Sequence, residues 1–411
     1  MNRIVLIGNG FDLAHGLKTS YADFIDWYWN EWGKQLLQGL NRTEDDGLCS
    51  FKIKDNIEVR NWASVFQGWY YKRENPLIPW DTKDVVSLAK QDKKLCDFKM
   101  SPFFERIQKG IECKGWVDIE DEYHNLLIEY SFHDISHQNL ILLNKQLLIL
   151  QKKLIQYLMT IDNKFVESNE FIRKAIYSPF KELDISIGGQ HALNSHIEDG
   201  LNYDQNEWRI KLYQYGRTYD SYYIERYRKE KQSGKIINEV PYELLLPNQI
   251  MLLDFNYTNT SKMYCEKPSI FTYNQIHGSL DNPDSIIFGY GDEMDEHYKK
   301  LQNLNDQECL KNIKSINYMN SDNYRKVLRL IESEPYQIFI MGHSCGNSDR
   351  TLLNTLFEHK NCTSIKPFYY IKDDGTDNYL ELVQNISRNF NDMKLMRDRV
   401  VNKTYCEPLV K

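Results

Sequence analysis

The feature that most constrains the fold is an N-terminal run of four apolar residues, 4–7, which ends at Gly8-Asn9-Gly10-Phe11-Asp12. An uninterrupted apolar run is typical of a parallel strand covered on both faces, and paired glycines let the backbone turn sharply. A helix that begins after such a turn presents its N-terminus to a bound anion. The pattern therefore predicts a nucleotide-binding loop, although Leu13 stands where the dinucleotide fingerprint has its third glycine.

Length and charge narrow the class of protein. The chain has 411 residues, enough for two or three average domains or for one large α/β domain with a helical insertion. Its net charge of −7 provides no global basic field for a nucleic-acid backbone. No apolar run approaches the ~18 residues of a membrane span, and the N-terminal run is too short for a signal peptide. We therefore predict a cytoplasmic protein with no nucleic-acid or membrane partner.

Hydrophobic patterning divides the chain into a nucleotide-binding part and an insertion. Residues from about 40 to 110 are polar and rich in Lys, Asp and Asn, and those from about 160 to 245 are polar and tyrosine-rich. Between them, leucines at three- and four-residue spacing predict a long amphipathic helix over 140–158. The apolar face of this helix fits either the core of the chain or a second subunit. Short apolar strands alternate with helices from residue 250 onward, as a parallel sheet built from crossovers requires. We predict an α/β protein whose Rossmann-like parallel sheet is formed by residues 1–40 and 246–411, with 41–245 as a mainly helical insertion.

Local patterns place the individual elements. The aromatic residues Phe24, Tyr28 and Trp32 recur at four-residue spacing and predict a helix capped by Thr19 or Ser20. Further strands are predicted at 251–255, just before 275, within 285–292, at 336–341 and at 366–371, with helices ending near 358 and spanning about 377–390. Irregular structure and short helices are predicted for 40–110.

Small and polar residues follow four of the predicted strands. The four clusters are residues 8–12, 256–258, 277–278 and 342–349. Each cluster alone is as well explained by loop chemistry or helix capping. Because ligands of open α/β sheets bind outside the carboxyl ends of the strands, the coincidence of all four predicts one site, with Tyr21 and Asp23 as further polar candidates.

Metal-binding patterns are weak. His133 and His137 stand at i and i+4, a spacing that brings two imidazoles to one helical face. The glutamate of the H-E-x-x-H motif is absent, no third ligand is evident, and the eight cysteines are scattered without a C-x-x-C pair. We predict no metal and reduced thiols. A metal-dependent nuclease toxin that uses these histidines with Asp118 and Glu120 stays as an alternative.

The motifs together resemble a known family. They are Gly8-Asn9-Gly10-Phe11-Asp12-Leu13-Ala14-His15-Gly16-Leu17 with Thr19-Ser20-Tyr21 and Phe24, Trp116-x-Asp118-Ile119-Glu120, Phe255-Asn256-Tyr257-Thr258, Ile276-His277-Gly278 and Gly342-His343-Ser344-x-Gly346-x-Ser348-Asp349. In this order they resemble the AbiH family of bacteriophage abortive-infection proteins. The resemblance implies an antiphage effector and leaves open a defence-complex partner, a phage-derived trigger and a homo-oligomer.

The same order of motifs is similar to a sirtuin-type NAD-binding fold. There a glycine loop, an Asp-Phe pair, an Asn-Tyr strand end, a His-Gly pair and a late glycine-serine loop surround NAD. The matching residues here are Gly8-Asn9-Gly10, Asp23-Phe24, Asn256-Tyr257, His277-Gly278 and Gly342-His343-Ser344. The resemblance implies NAD as substrate or ligand, with Asn256 and His277 as catalytic residues. Two departures are that the sirtuin zinc cysteines are missing, which argues against a protein deacylase, and that Thr258 replaces the usual acid.

These observations lead to the hypothesis that the protein cleaves the nicotinamide–ribose bond of NAD. His277 is then the general base, and Asn256 orients water or the nicotinamide amide. An acidic side chain, Asp12 or Asp23, offsets positive charge on the ribose. The residues expected to hold the nucleotide are Gly8, Asn9, Gly10, Phe11, Asp12, Tyr21, Asp23, Gly342, His343, Ser344 and Asp349. The alternative is a non-catalytic nucleotide-binding sensor or assembly subunit of a defence complex.

Overall fold

The computed structural model describes residues 1–70, 80–114, 117–132, 136–161, 166–234, 239–266 and 269–410. Within these ranges the strands are β1 (Asn2–Ile7), β2 (Thr43–Asp45), β3 (Cys49–Ile53), β4 (Cys96–Met100), β5 (Ile250–Asp254), β6 (Phe271–Gln275), β7 (Tyr336–Met341) and β8 (Cys362–Phe368). The α-helices are α1 (Asn9–Ala14), α2 (Tyr21–Gln38), α3 (Trp62–Tyr70), α4 (Thr82–Gln91), α5 (Pro102–Lys114), α6 (Ile119–Phe132), α7 (His137–Thr160), α8 (Glu170–Ile176), α9 (Gln190–Asn202), α10 (Gln205–Gln214), α11 (Ser221–Gln232), α12 (Glu296–Asn303), α13 (Gln307–Leu310), α14 (Lys314–Asn317), α15 (Asn323–Ser333), α16 (Arg350–Glu358), α17 (Tyr379–Arg388) and α18 (Met393–Arg399).

The main sheet is parallel and has the strand order β6-β5-β1-β7-β8 in the described part of the chain. Counted along the chain within this sheet, the order is 3-2-1-4-5, which is that of a Rossmann-like doubly wound fold. The direction of winding changes between β1 and β7, and this is where such folds bind ligands. The prediction of a Rossmann-like α/β protein with a helical insertion is confirmed.

Strand β1 lies at the centre of the sheet and is buried on both faces. Ile4 and Leu6 pack into an apolar cluster that includes residues of α15, α16 and α17, whereas Val5 and Ile7 pack into a second cluster with residues of α1 and α8. Successive side chains of a strand point to opposite faces, so a strand covered on both sides needs apolar residues at every position. This is why the N-terminal apolar run has no polar interruption.

The predicted leucine-striped helix is confirmed as α7, and its apolar face packs within this chain. Leu143, Leu147 and Leu150 are almost fully buried in a cluster that also holds residues of α2, β3 and α6. Although α7 has 24 residues, no helix in the described ranges is both long and apolar enough to cross a membrane. The core of the chain itself is therefore the partner of this stripe.

Two segments differ from their predicted structure. Residues 43–100 include an antiparallel sheet, β2-β3-β4, where irregular structure and short helices were expected. The strand expected within 285–292 does not form, because its amides bond to loops: Ile287 N–H donates to the His277 carbonyl at 2.9 Å and Tyr290 N–H to the Asn312 carbonyl at 3.1 Å. The segment instead crosses the loop that carries His277.

Candidate functional site

A cavity of about 760 Å³ lies at the carboxyl edge of the parallel sheet. Residues of all four predicted clusters line it: Gly8, Asn9, Gly10, Asp12, Asn256, Tyr257, Thr258, His277, Gly342, His343, Ser344, Ser348 and Asp349. Tyr21 lines it as well, and the segment from 117 to 158 adds Val117, Asp118, Glu120, Leu154 and Leu158. The fold therefore brings the carboxyl ends of β1, β5, β6 and β7 to one cavity.

The glycines of the first loop are required by a second loop packed against them. Gly10 N–H donates to the Gly342 carbonyl at 2.8 Å, and Gly342 has a φ of +77°. A β-carbon on Gly342 would lie 2.0 Å from the Phe11 nitrogen, and one on Gly8 would lie 2.5 Å from the α-carbon of His343. The sequence pattern explained these glycines by a ligand, whereas close contact between the loops after β1 and β7 already demands them.

Asn256 connects the ends of two strands. Its side-chain amide donates to the Gly8 carbonyl at 3.0 Å, and its backbone N–H donates to Asp254 at 2.8 Å. Asp254 is buried and also accepts hydrogen bonds from Ser261 and Tyr273. Burial raises the pKa of Asp254 to about 7. The Asn256 side-chain amide is therefore already engaged in a hydrogen bond to the glycine loop.

Asp12 carries a buried carboxylate at the wall of the cavity. Its Oδ2 accepts a 2.6 Å hydrogen bond from Thr258, while Oδ1 has no hydrogen-bond partner among the described residues. The side chain lines the cavity although the residue is only 1% exposed. Burial raises the pKa of Asp12, and the bond from Thr258 opposes that rise. Thr258 therefore donates a hydrogen bond to an acidic residue of α1, Asp12.

Two residues of the predicted nucleotide site have structural roles away from the cavity wall. Phe11 is fully buried and packs edge-on against Tyr264 in the cluster under β1. Asp23 lies in the first turn of α2, where its N–H donates to the Ser20 hydroxyl and its carboxylate accepts from the same group. Ser20 thereby caps α2, as one of the two predicted capping residues.

His277 and Asp349 form the polar centre of the cavity. The Nε2 atom of His277 lies 3.2 Å from Asp349 Oδ1 and 3.2 Å from the Tyr318 hydroxyl. His343 approaches the other carboxylate oxygen of Asp349 at 3.6 Å, and its Nδ1 accepts from the Cys345 N–H at 2.9 Å. Both histidines are about 5% exposed. Their loops follow β6 and β7, so strands separated in the sheet meet at this carboxylate.

A buried lysine continues this arrangement toward the insertion. The Lys314 ammonium lies 2.9 Å from Asp349 Oδ1 and 2.8 Å from Glu120 Oε2, and its side chain is 1% exposed. Glu120 belongs to the first turn of α6, and its Oε1 accepts a 3.1 Å hydrogen bond from the Gly289 N–H. Asp118 accepts bonds from the Glu120 and Asp121 amides and caps α6. One buried cation is therefore shared by two carboxylates whose side chains are each about 10% exposed.

The charges of this cluster follow from its contacts. Burial alone would raise the pKa of Asp349, but Lys314 and His277 beside it hold that pKa well below its usual range. Burial, and next Lys314, lower the pKa of His277. Burial raises the pKa of Glu120, with Lys314 opposing the rise. His277 is consequently a neutral imidazole near pH 7, beside an ionised Asp349.

Sequence reasoning missed Lys314 and considered Glu120 only as a residue of the metal-dependent nuclease alternative. Lys314 stands in a polar stretch, 311–320, without a motif that marks it as buried. Glu120 was visible as part of the Trp116-x-Asp118-Ile119-Glu120 motif, but acids at that position are equally expected in the first turn of a helix. The sequence therefore contained a motif that marks Glu120, but nothing in it indicated Lys314 as the partner of this acid.

The histidines considered for metal binding do not form a described site. His137 is on the surface and pairs with Asp306 at 2.7 Å, and His133 lies outside the described residues. Asp118 and Glu120 belong to the cavity instead. Across the ranges that the structure describes, no group of three or more histidine, cysteine or acidic residues has an arrangement that could hold a metal ion.

Fold and cavity together define a Rossmann-like α/β protein with a candidate ligand site where the winding of its sheet reverses. The chain belongs to the bacteriophage abortive infection AbiH family, whose family model matches residues 4–371. Its role is therefore in phage abortive infection. Comparison with curated proteins returned no match to this chain.

Proposed function

We propose that this protein acts in phage defence by cleaving NAD at the nicotinamide–ribose bond, and that it does so in the cytoplasm. The observation that carries the proposal is the pairing of a neutral His277 with an ionised Asp349 inside a cavity at the switch point of the sheet. The sequence similarity to sirtuin-type NAD-binding proteins supplies the choice of NAD. A cavity of about 760 Å³ is within the ~300–1,000 Å³ range of small-molecule sites.

The proposed reaction is hydrolysis. Water attacks the anomeric carbon of the ribose as the bond to nicotinamide breaks, which releases nicotinamide, ADP-ribose and one proton. Asp349 accepts a hydrogen bond from the Nε2–H of His277, so the lone pair of the ring lies on Nδ1 and takes the proton of the attacking water or of a ribose hydroxyl. The transition state carries positive charge at the ribose, which the buried carboxylate of Asp12, when ionised, would stabilise.

The lining of the cavity contains groups suited to both parts of a dinucleotide. Its polar residues include His277, Lys314 and Asp349, and its apolar and aromatic residues include Phe368, Tyr369, Tyr370, Leu382 and Leu409. Pockets of this composition bind an apolar ring while a few polar groups fix its orientation. We therefore expect the reacting ribose to lie beside His277 and Asp349, and the second base to pack against the aromatic residues at 368–370.

The direct test follows release of nicotinamide from NAD by purified protein, with and without phage lysate as an activating signal. We expect His277→Ala to lower the rate by about 10²–10⁴-fold, and Asn256→Ala to lower it as well. His137→Ala is the matched control, because that histidine is exposed and pairs with Asp306 on the surface. Release that is absent under every activating condition, or unchanged in both cavity variants, would overturn the proposal.

A second candidate function is that of a nucleotide sensor or assembly subunit without turnover. It is favoured by the observation that two hydrogen-bond donors at the glycine loop, the Asn256 side-chain amide and the Gly10 N–H, already donate to carbonyls of this chain. Calorimetry with NAD distinguishes the two functions, because tight binding without nicotinamide release supports the sensor. In that role, ligand binding would change the affinity of the protein for a defence partner or for a second copy of itself.

A further inference from the structure

A line of buried charges runs from the insertion to the proposed general base. Glu120 Oε2 lies 2.8 Å from Lys314 Nζ, and Lys314 Nζ lies 2.9 Å from Asp349 Oδ1. Asp349 Oδ1 lies 3.2 Å from His277 Nε2. The Lys314 side chain, which contacts both carboxylates, is 1% exposed. The same carboxylate oxygen of Asp349 therefore serves both the lysine and the histidine.

Sharing this oxygen determines the state of the histidine. A buried carboxylate needs a positive partner or a proton, because transferring a lone charge from water to the interior is costly. Lys314 supplies that positive charge, so Asp349 can stay ionised without a protonated His277. If the ammonium were absent, protonation of His277 would be the available way to neutralise Asp349, and the ring would lose its free lone pair.

We propose that Lys314 is a positioning residue that holds Asp349 as a carboxylate and thereby keeps His277 neutral, with its lone pair on the nitrogen that faces away from Asp349. Lys314 acts through Asp349 and does not itself take part in bond breaking. The catalytic consequence rests on the proposed NAD cleavage, whereas the effect on His277 exists in the free protein.

The surroundings of the two residues agree with this role. Among the described residues, the groups that interact electrostatically with His277 or Lys314 are Asp118, Glu120, His343 and Asp349, and the Tyr318 hydroxyl lies 3.2 Å from His277. His343 accepts a backbone hydrogen bond at Nδ1, so it is not the source of the charge that balances Asp349. Among these described neighbours, Lys314 is the cation that can do so.

The test is an NMR titration of ¹⁵N-histidine-labelled full-length protein, in which the His277 signal is identified by its loss in His277→Ala. In the wild type we expect His277 to stay neutral to below about pH 6.5. In Lys314→Met we expect its proton affinity to rise at least tenfold. Because this variant leaves two carboxylates without their cation, Lys314→Met/Glu120→Gln provides the charge-balanced version, and we expect the same direction of change there.

Lys366→Met is the matched control. Lys366 is also 1% exposed and pairs with a buried carboxylate, Asp184, at 3.0 Å, so its loss should destabilise the fold without changing His277. A His277 titration that stays within twofold of wild type in both Lys314 variants overturns the proposal, and so does an equal change in Lys366→Met. If the His277 titration shifts as expected but neither the wild type nor any variant cleaves NAD, the role of Lys314 is supported and the proposed function is overturned.

Discussion

The Gly10 amide donates to the Gly342 carbonyl at 2.8 Å, and this bond joins the loops that follow the first and fourth strands of the sheet. A β-carbon on Gly10 would lie 2.9 Å from the Gly342 α-carbon, and one on Gly342 would lie 2.0 Å from the Phe11 nitrogen, so neither residue has room for a side chain. The floor of the cavity is therefore made by two backbones in direct contact, and its shape depends on both loops at once.

Substitution of Gly342 tests how far this contact contributes to stability. We expect Gly342→Ala to lower the free energy of unfolding by about 2–5 kcal/mol, because a β-carbon is strained at positive φ and meets the Phe11 nitrogen at 2.0 Å. Urea denaturation measures the loss. Gly375→Ala is the control: its φ of +80° is similar but nothing lies within 4 Å, so a loss of only about 1–2 kcal/mol is expected. Equal losses in the two variants would argue against the packing explanation.

The buried Asp254 makes stability depend on pH. Its pKa is raised to about 7 in the folded chain and is about 3.9 when unfolded, so between these values only the folded state keeps the proton. Stability from this residue is therefore full below about pH 4 and decreases as the pH rises to about 7. Asp254→Asn should be more stable than wild type at pH 8, by up to about 4 kcal/mol, and nearly equal to it at acid pH. Asp284→Asn, at an exposed position, should show no such difference; thermal unfolding at both pH values decides.

The buried pair of Lys366 and Asp184 should contribute far more than an exposed pair. Its two atoms lie 3.0 Å apart and both side chains are at most 3% exposed. Removing one partner by Asp184→Asn leaves the buried ammonium with a longer ion pair, 3.5 Å to Glu407, at a cost of about 3 kcal/mol. The Lys372–Glu381 pair is closer, at 2.6 Å, but exposed, so Glu381→Gln should cost less than about 1 kcal/mol. Chemical denaturation of both variants compares them, and similar costs would contradict this reasoning.

The proposed reaction has a predicted pH profile. His277 must be neutral to accept a proton, and burial together with Lys314 lowers its pKa. The ring therefore stays neutral as the pH falls through about 6.5, and kcat/KM for nicotinamide release should decline only below that value. Initial rates between about pH 4.5 and 8.5 locate the acid limb. A decline centred at or above pH 6.5 would show that another group, or a protonated His277, controls the rate.

Much of the sheet was predictable because its signals are local. The buried run of β1 and the polar residues that follow β5, β6 and β7 are each visible within about ten residues of sequence. Since parallel strands share one carboxyl edge, the meeting of the four clusters at one cavity could be predicted from their positions after strands of a parallel sheet. What they bind, and whether they cleave NAD, stays a prediction.

The rest depends on contacts between distant parts of the chain. Lys314 is buried by Glu120, 194 positions earlier, and no local pattern distinguishes it from a surface lysine. Strand β2 is Thr-Glu-Asp, which has neither apolar alternation nor β-branched enrichment, and exists because it pairs with β3. Conversely, residues 286–288 are apolar as a strand should be, yet they cover the His277 loop. Local sequence propensity therefore determined neither the burial of Lys314 nor the structure of β2 and of residues 286–288.

The hydrogen bond between Lys314 and Glu120 limits how this protein can be divided. Glu120 belongs to the insertion by sequence and to the cavity by contact. A shortened chain without residues 41–245 would keep every strand of the parallel sheet, yet its cavity would lack a wall and one of the two carboxylates around the lysine. The insertion is therefore part of the cavity, and replacing it with the insertion of a related chain should succeed only when the incoming segment also carries an acid at this position.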